Sequence, residues 1–105
     1  MPIYRFYRLR WLDEWYRLSE EEKETLLSRV GEARDEVCGH RIVECQSGWA
    51  NETWHVFGIE EYPSVEALQE HRRLLERVNW FQYVESESMV GTSLENQTGT
   101  WSNTW

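Results

Sequence analysis

The order in which strand and helix patterns follow one another constrains this fold more than any single residue. Four segments rich in alternating aromatic and β-branched side chains predict strands, over residues 2–11, 40–49, 52–62 and 80–91. Two segments with helical periodicity, residues 18–37 and 64–78, lie after the first and third strands. This β-α-β-β-α-β order predicts an α+β fold of the ferredoxin-like type, in which a four-stranded antiparallel sheet carries two helices on one face.

Both helices carry recognisable start signals. Ser19 precedes the first helix and Glu22 follows three residues later, which together predict a capping box. Gly39 predicts the end of that helix. Pro63 ends the third strand, and Ser64 predicts the N-cap of the second helix.

The first strand, PIYRFYRLRW, carries large side chains on both of its faces. Two helices cover only one face of a four-stranded sheet, so the aromatic residues on the other face need a different cover. We therefore expect a homodimer in which two sheets meet face to face. Residues 1–94 are predicted to form the domain. The polar tail, residues 95–105, is expected to be disordered or to act as an arm that docks Trp101 and Trp105 on the partner subunit.

Charge and composition exclude several classes of partner. The formal net charge is −8, and Lys23 is the only lysine among eleven basic residues. A nucleic acid or an anionic membrane surface is therefore not an expected partner. The chain shows no signal peptide and no apolar run of about 18 residues, so we expect a cytoplasmic protein. Cys38 and Cys45 are then expected to be reduced and inert.

No segment matches a phosphate loop, a dinucleotide fingerprint, a nucleophile elbow or a zinc-spaced Cys/His set. We therefore expect no cofactor and no metal.

The segment VFGIEEYPSVEALQEH resembles a local pattern of the dimeric α+β barrel superfamily, which includes the antibiotic-biosynthesis monooxygenase-like proteins. In that group a strand ends in Glu and an aromatic residue, and a short turn leads to a helix with Glu-Ala-Leu and then His. The matching residues are Glu60, Glu61, Tyr62, Glu66, Ala67, Leu68 and His71. The element order matches over roughly residues 3 to 92.

The resemblance implies a homodimeric closed barrel with a small-molecule cleft between each sheet and its helices. Relatives include cofactor-free monooxygenases of aromatic polyketides, lactone isomerases, polyketide cyclases and haem-degrading enzymes, and many have no assigned activity. The haem-degrading members carry a His near the end of this helix. Here His71 lies in mid-helix, which departs from their pattern.

Two histidines are the first candidates for chemistry. His71 falls between Leu68 and Leu75 on the apolar side of its helix, so it is predicted to point at the sheet. Its role is either that of a base in a cleft or that of a core histidine whose N–H finds a structural partner. His55 lies on the predicted third strand, and parity alone does not decide whether it shares a cavity with His71 or faces the dimer barrel.

Tyr7 and Arg5 share one face of the first strand, where they can bind and polarise a carboxylate, phenolate or carbonyl group. The structural alternative is a cross-strand ion pair of Arg5 with Glu44, Glu85 or Glu87. Two of these carboxylates in one desolvated site would instead provide a general base, and a solvated edge is the alternative, above all for Glu85 and Glu87.

Tryptophans near the predicted hairpin and the first helix are candidate ligand contacts. Trp49 and Trp54 flank the hairpin loop and are predicted to wall a pocket for an aromatic ligand. Trp11, Trp15 and Tyr16 precede the first long helix and are predicted to form a lid. For each residue, packing in the core or at an interface is the alternative.

Three functions remain open from the sequence. The first is a cofactor-independent monooxygenase, isomerase or cyclase on an aromatic or carbonyl substrate, with His71 or His55 as base and Tyr7 and Arg5 holding the oxyanion. The second is a non-catalytic ligand-binding or stress-associated homodimer. The third is a haem-binding protein.

Overall fold

The computed structural model describes residues 1–94 of the chain, so the predicted tail and its two tryptophans lie outside the described residues. In this part of the chain no helix is both long and apolar enough to cross a membrane. The elements are β1 (Ile3–Trp11), α1 (Asp13–Tyr16), α2 (Glu20–Glu36), β2 (His40–Gln46), β3 (Val56–Tyr62), α3 (Val65–Arg77), a 3-10 turn (Trp80–Gln82) and β4 (Val84–Gly91).

The four strands form one antiparallel sheet in the order β2-β3-β1-β4. This confirms the ferredoxin-like α+β prediction. The helices α2 and α3 pack on one face of the sheet. There they form a single core with the buried side chains of β1 and β4. Taken over strands, helices and the 3-10 turn together, the core residues are Tyr7, Leu9, Trp15, Leu26, Ala33, Leu74, Leu75, Trp80 and Val84.

The predicted helix starts are confirmed. The Ser19 hydroxyl accepts a hydrogen bond from the Glu22 backbone N–H at 3.1 Å, and the Glu22 carboxylate accepts one from the Ser19 backbone N–H at 2.9 Å. The Ser64 hydroxyl accepts from the Ala67 backbone N–H at 3.1 Å. These bonds satisfy N–H groups that have no partner within the helix.

The end of α2 differs from the prediction in one detail. The helix closes with hydrogen bonds from Cys38 N–H to Asp35 C=O and from Gly39 N–H to Arg34 C=O. In this arrangement the left-handed residue is Cys38, with φ of 61°, rather than Gly39. Gly39 is required for space, since a Cβ atom there would lie 2.6 Å from Cε1 of Tyr62.

The hairpin strands β2 and β3 are shorter than predicted. The Asn51 side chain accepts hydrogen bonds from the backbone N–H groups of Thr53 and Trp54 at 2.8 and 2.7 Å. This Asx-type turn folds the backbone away from a strand ladder. As a result β3 begins at Val56, and His55 lies before the strand rather than on it.

The last strand is also shorter than predicted. Asn79 adopts a left-handed conformation with φ of 59°, and Trp80–Gln82 then form a 3-10 turn. The bulky Trp80 side chain is buried in the core by this turn. The ladder with β1 therefore begins only at Val84.

The sheet face away from the helices has no cover within residues 1–94. It exposes Phe6, Phe57 and Met89, and the Phe6 and Phe57 ring centroids lie 6.3 Å apart. Glu85 and Glu87 also lie on this face, where they pair with Arg10 and Arg8 at 2.5 and 2.7 Å. These two carboxylates are thus in solvated cross-strand ion pairs, and the interpretation of them as partners of Arg5 is wrong.

The left-handed backbone conformation of Cys38 predicts that glycine at this position would stabilise the fold. Cys38→Gly should raise the free energy of unfolding by about 1 kcal/mol, because glycine adopts this conformation without a Cβ penalty. The Cys38 side chain is exposed, so its removal costs little packing. Urea unfolding is the measurement. Cys38→Ala is the matched control and should give no gain, since it removes the thiol but keeps the Cβ atom; an equal gain in both variants would contradict the backbone argument.

Candidate functional site

The site begins with two rows of residues that run across the sheet on its helix-covered face. In the first row Arg5 of β1 is paired in register with Glu60 of β3, which is paired with Arg41 of β2. In the neighbouring row Tyr7 is paired with Gly58 and then Glu44 by the same registers. The antiparallel ladder therefore brings together side chains that are up to 55 residues apart in the sequence.

Gly58 allows the side chains of Tyr7 and Glu44 in the second row to meet. A Cβ atom at this position would lie 2.6 Å from the Tyr7 hydroxyl oxygen, so only glycine leaves room for that ring. The Tyr7 side chain consequently reaches across Gly58, and its hydroxyl donates a hydrogen bond to Glu44 Oε2. Tyr7 is buried, whereas the Glu44 side chain remains partly accessible.

Glu60 is the buried charge of the first row, and only 6% of its surface is exposed. Its Oε1 accepts a hydrogen bond from Arg5 Nη1 at 2.6 Å and a second from the Tyr62 hydroxyl at 2.8 Å. Arg5 is held further by a hydrogen bond from its Nε to Ser88 Oγ at 2.9 Å. Burial of a carboxylate requires this compensation by an opposite charge and hydrogen-bond donors.

His71 joins this network from the helix α3. It is buried, with 4% of its surface exposed, which confirms the predicted inward orientation. Its Nδ1 lies 3.2 Å from the Tyr62 hydroxyl oxygen. Because the Tyr62 proton is donated to Glu60, the hydroxyl oxygen is left as an acceptor, and Nδ1 of His71 must carry the proton. This assigns the tautomer in which Nε2 is unprotonated.

Protonation states follow from burial and neighbouring charges. Burial lowers the pKa of His71 to about 4; the Glu60 carboxylate opposes this shift, and the Arg5 and Arg34 guanidinium groups add to it. The imidazole is therefore neutral at pH 7. Burial, reinforced by adjacent carboxylates, raises the pKa of the Tyr7 and Tyr62 hydroxyls well above the usual value, so both remain protonated donors.

A cleft opens between α3 and the strands β1 and β4. Its outer cavity has a volume of about 240 Å³, and a deeper cavity of about 50 Å³ lies beside it. The two cavities share four lining residues, namely Arg5, His71, Leu75 and Ser86. His71 and Arg5 thus stand where the two cavities meet.

The structure brings together four of the predicted site residues and separates His55 from them. Arg5, Tyr7, Glu44 and His71 all line the deeper cavity. His55 instead lines a different cavity, of about 380 Å³, with Trp11 and Glu44. Its Nδ1 accepts a hydrogen bond from the Trp11 backbone N–H at 3.0 Å, which holds the ring near the end of β1. The two histidines therefore do not face a common pocket.

The tryptophan predictions fit the structure less well. Trp49 is 86% exposed, and its ring N–H donates to the Gln46 carbonyl. Trp54 stacks under the Arg8 guanidinium, 4.3 Å from the ring centroid, so neither residue walls the cleft. Trp15 is buried and stacks on Trp11 at 4.0 Å, which makes it part of the core rather than of a lid.

Glu60, Tyr62 and Ser88 were missed as site residues by the sequence reasoning. A signal was present, since Gly58, Glu60 and Tyr62 alternate along β3 and must share one face. That face is the buried one. A carboxylate at a buried strand position indicates a charged partner on the neighbouring strand, and Arg5 is the residue in register with it.

The described residues provide neither a set of metal ligands nor a cavity large enough for haem. Within residues 1–94 no group of three or more His, Cys, Asp or Glu side chains is placed to hold a metal ion. The outer cavity is smaller than the roughly 300–1,000 Å³ that holds drug-sized ligands, and haem is larger than such ligands. The residues around His71 therefore do not fit haem.

Comparison with known proteins shows the fold. No protein-family model and no curated protein matches the chain. A solved structure of a protein of unknown function from Rhodopseudomonas palustris is similar, with 21% identity and a TM-score of 0.59 over 89% of this chain and 82% of that chain. SnoaB, a cofactor-independent oxygenase from Streptomyces nogalater, has 12% identity and a TM-score of 0.57 over 92% of this chain and 97% of its own.

At these identities the likeness concerns the fold alone. The chain is an α+β protein with a ferredoxin-like sheet, which confirms the predicted fold class.

The lowered pKa of His71 predicts a specific dependence of stability on pH. Below the ordinary value of 6.5 the unfolded chain takes up a proton on His71, whereas the folded chain does so only near pH 4. The stabilisation is therefore complete above pH 6.5 and is lost as the pH falls towards 4. Across this window the wild type should lose up to about 3 kcal/mol more than His71→Asn.

Urea unfolding at several pH values measures this difference. Other titrating groups affect both chains alike, so they cancel in the comparison. The exposed His40 offers a matched substitution: if His40→Asn changed the wild-type curve as much as His71→Asn does, the effect would not be specific to the buried imidazole. Parallel wild-type and His71→Asn curves would contradict the assigned neutral, buried imidazole.

Proposed function

We propose that the protein is a small-molecule enzyme that removes a proton from its substrate without a cofactor, with His71 as the general base. The observation that carries the proposal is the chain Glu60–Tyr62–His71, whose hydrogen bonds leave Nε2 unprotonated on a residue that lines the cleft. A neutral imidazole with a fixed tautomer is ready to accept a proton at pH 7. The similarity of fold to a cofactor-independent oxygenase agrees with this class of chemistry.

Arg5 is the proposed electrophilic partner. Its guanidinium group has five N–H donors, of which two are used in hydrogen bonds to Glu60 and Ser88. Within residues 1–94 three donors remain beside the cleft that Arg5 shares with His71. Proton removal next to a carbonyl group, or from a phenol, places negative charge on oxygen, and a preorganised guanidinium stabilises that charge.

Tyr7 has a less direct role than the sequence predicts. Its hydroxyl proton is donated to Glu44 and is therefore not available to a substrate oxygen. Tyr7 also lies under Arg5, whose guanidinium carbon is 4.7 Å from the ring centroid. We assign Tyr7 to positioning Arg5 from below through a cation–π contact.

The reaction begins with transfer of one proton from the substrate to His71 Nε2, which leaves an enolate or phenolate at Arg5. Tyr62 accepts the Nδ1 hydrogen bond of the resulting imidazolium, and the Glu60 carboxylate stabilises its charge. Return of the proton at another carbon gives an isomerase. Attack of the carbanion on an internal carbonyl group forms a C–C bond and an alkoxide, which takes the proton back from His71, and gives a cyclase. Addition of the carbanion to dioxygen, which is the oxidant, forms a peroxide that takes the same proton to become a hydroperoxide, and gives an oxygenase.

Hydrogen–deuterium exchange tests the shared first step. Small ketones, oxo acids and hydroxyaromatic compounds are incubated with the protein in D₂O, and loss of C–H signals is followed by NMR. We expect exchange of at least one class, and His71→Asn should lower its rate at least about 100-fold, since general-base catalysis contributes 10²–10⁴-fold. Asn retains an N–H that can donate to Tyr62.

His55→Asn is the matched control, because His55 lies outside the cleft, and it should retain the wild-type rate. Oxygen uptake in the same samples separates the oxygenase from the isomerase and cyclase. An unchanged exchange rate in His71→Asn would remove His71 as the base.

A second candidate is a ligand-binding protein without turnover. The observation that favours it is the lowered pKa of His71, about 4, since a general base is most effective when its pKa is near the working pH. This candidate predicts binding of small molecules in the cleft with no exchange of any C–H group in the same experiment.

The exposed face of the sheet supports the proposal of a homodimer. Phe6 and Phe57 lie on the two central strands and form an apolar patch with Met89 and Val43. Flanking charges, such as the Arg8–Glu87 ion pair, provide a polar rim. A second copy placed with its sheet against this patch would bury the same surface on both subunits, as two-fold symmetry requires.

Phe57→Glu is therefore expected to convert the dimer into a monomer, because it places a charge at the centre of the apolar contact. Analytical ultracentrifugation measures the change. Leu27→Glu is the matched control, since Leu27 is exposed on α2 away from the sheet face and its substitution should leave the dimer intact. A wild-type chain that sediments as a monomer at micromolar concentration would overturn the dimer.

A further inference from the structure

The cleft carries positive charge in a protein that is otherwise acidic. Among the residues that line its two cavities there are four arginines and two glutamates, with the neutral His71 between them. The formal excess among these lining residues is therefore two positive charges, although Arg34 is also paired with Asp35 at 3.8 Å, whereas the whole chain has a net charge of −8. The arginines are Arg5, Arg34, Arg41 and Arg72. A cleft of the opposite sign to its surroundings attracts and retains an anion.

The excess of positive over negative side chains is clearest in the outer cavity. Its lining contains Arg5 and Arg72 but no carboxylate among the described residues. Arg72 stands at the rim with a 64% exposed side chain, and its pairing with Glu76 on the same helix at 3.0 Å is a solvent-exposed contact of the kind that contributes little. Its guanidinium carbon lies 4.1 Å from the Phe81 ring centroid, which fixes the group over the mouth.

Apart from the two arginines and His71, the outer cavity is lined by apolar side chains and by two serine hydroxyls that can donate hydrogen bonds. Leu68, Leu75, Phe81 and Val90 form its apolar walls, and the hydroxyls of Ser86 and Ser88 lie on the β4 side. A ligand that complements this lining has an apolar body and one anionic end. The volume of about 240 Å³ lies below the range for drug-sized ligands, which limits the body to about one ring or a short chain.

We propose that the substrate is a small organic carboxylate with one ring or a short apolar chain. This inference rests on the proposed function and names its substrate class. The carboxylate binds at the mouth, where Arg72 offers a planar fork of donors, and the apolar body lies against Phe81 and Val90. The carbonyl or hydroxyl group that reacts then lies deeper, between Arg5 and His71.

Binding of benzoate and benzamide tests the substrate class. The two molecules are similar in shape, but only benzoate is charged, and neither has a C–H next to its carbonyl group for His71 to remove. Isothermal titration calorimetry should show at least about tenfold tighter binding of benzoate, and its affinity should fall when the salt concentration is raised from 0.05 to 0.5 M, because exposed charges are screened. Equal binding of the two, or no binding of either, would overturn the proposal.

Three variants locate the contact. Arg72→Gln should weaken benzoate about threefold, in line with an exposed ion pair, and should leave benzamide unchanged. Arg5→Lys keeps a charge beside Glu60, so the fold is retained, and should weaken benzoate less than Arg72→Gln does, because the carboxylate binds at Arg72 and Arg5 acts on it mainly through its charge. Arg8→Gln is the matched control, since Arg8 is a similarly paired arginine on the opposite sheet face. A loss in Arg8→Gln equal to that in Arg72→Gln would assign the effect to overall charge and overturn the site.

The proposal of His71 as a base and the proposal of a carboxylate substrate can be overturned independently of each other. His71→Asn should bind benzoate within about twofold of the wild type while losing proton exchange, since benzoate needs the arginines rather than the base. Tight benzoate binding without exchange of any compound would remove the enzyme and keep the carboxylate site. Exchange of neutral ketones without preference for benzoate over benzamide would keep the base and overturn the carboxylate site.

Discussion

The burial of Glu60 is the constraint on which the rest of the site depends. A carboxylate in the middle of a sheet loses its hydration, and this is tolerated only because Arg5 and Tyr62 both donate to the same oxygen. Removal of Arg5 alone would leave an uncompensated charge at a cost of about 3–5 kcal/mol. The pairing thereby fixes the Arg5 side chain at the cleft and commits the Tyr62 proton, which in turn sets the tautomer of His71. The buried ion pair thus determines the donor and acceptor pattern of two further groups, the Tyr62 hydroxyl and the His71 imidazole.

Glycine is as important as charge in this arrangement. Gly58 leaves space above β3, and the Tyr7 ring fills it on the way to Glu44. Gly39 leaves the same kind of space for the Tyr62 ring at the end of α2. Both tyrosines of the site therefore lie against positions where any side chain would collide with them. Two missing Cβ atoms thus leave the space in which the Tyr7 and Tyr62 rings lie.

The element order, both helix caps and the inward direction of His71 could be predicted because they depend on local sequence alone. The positions that failed depend on contacts between distant segments. The Asn51 turn shortened β3 and removed His55 from the strand, so a parity argument for His55 had no strand to apply to. Arg5 was in register with Glu60 rather than Glu44, which only the sheet register reveals. The left-handed conformation of Cys38 was not predicted, because the neighbouring Gly39 was the expected end of the helix. Gly39 is needed because a Cβ atom there would collide with Tyr62, and not because it adopts the left-handed conformation.

The low pKa of His71 and the positive charge of the cleft are two parts of one electrostatic arrangement. Burial is the main cause of the lowered pKa, and the nearby Arg5 and Arg34 lower it further. A bound carboxylate would oppose these guanidinium charges and raise the pKa of His71, because an anion near an imidazole favours its charged form. The base would then be strengthened only when an anionic ligand occupies the cleft, and an empty cleft would hold a neutral, weakly basic imidazole. Charge on the substrate would thus serve both its recognition and the activation of the base that acts on it.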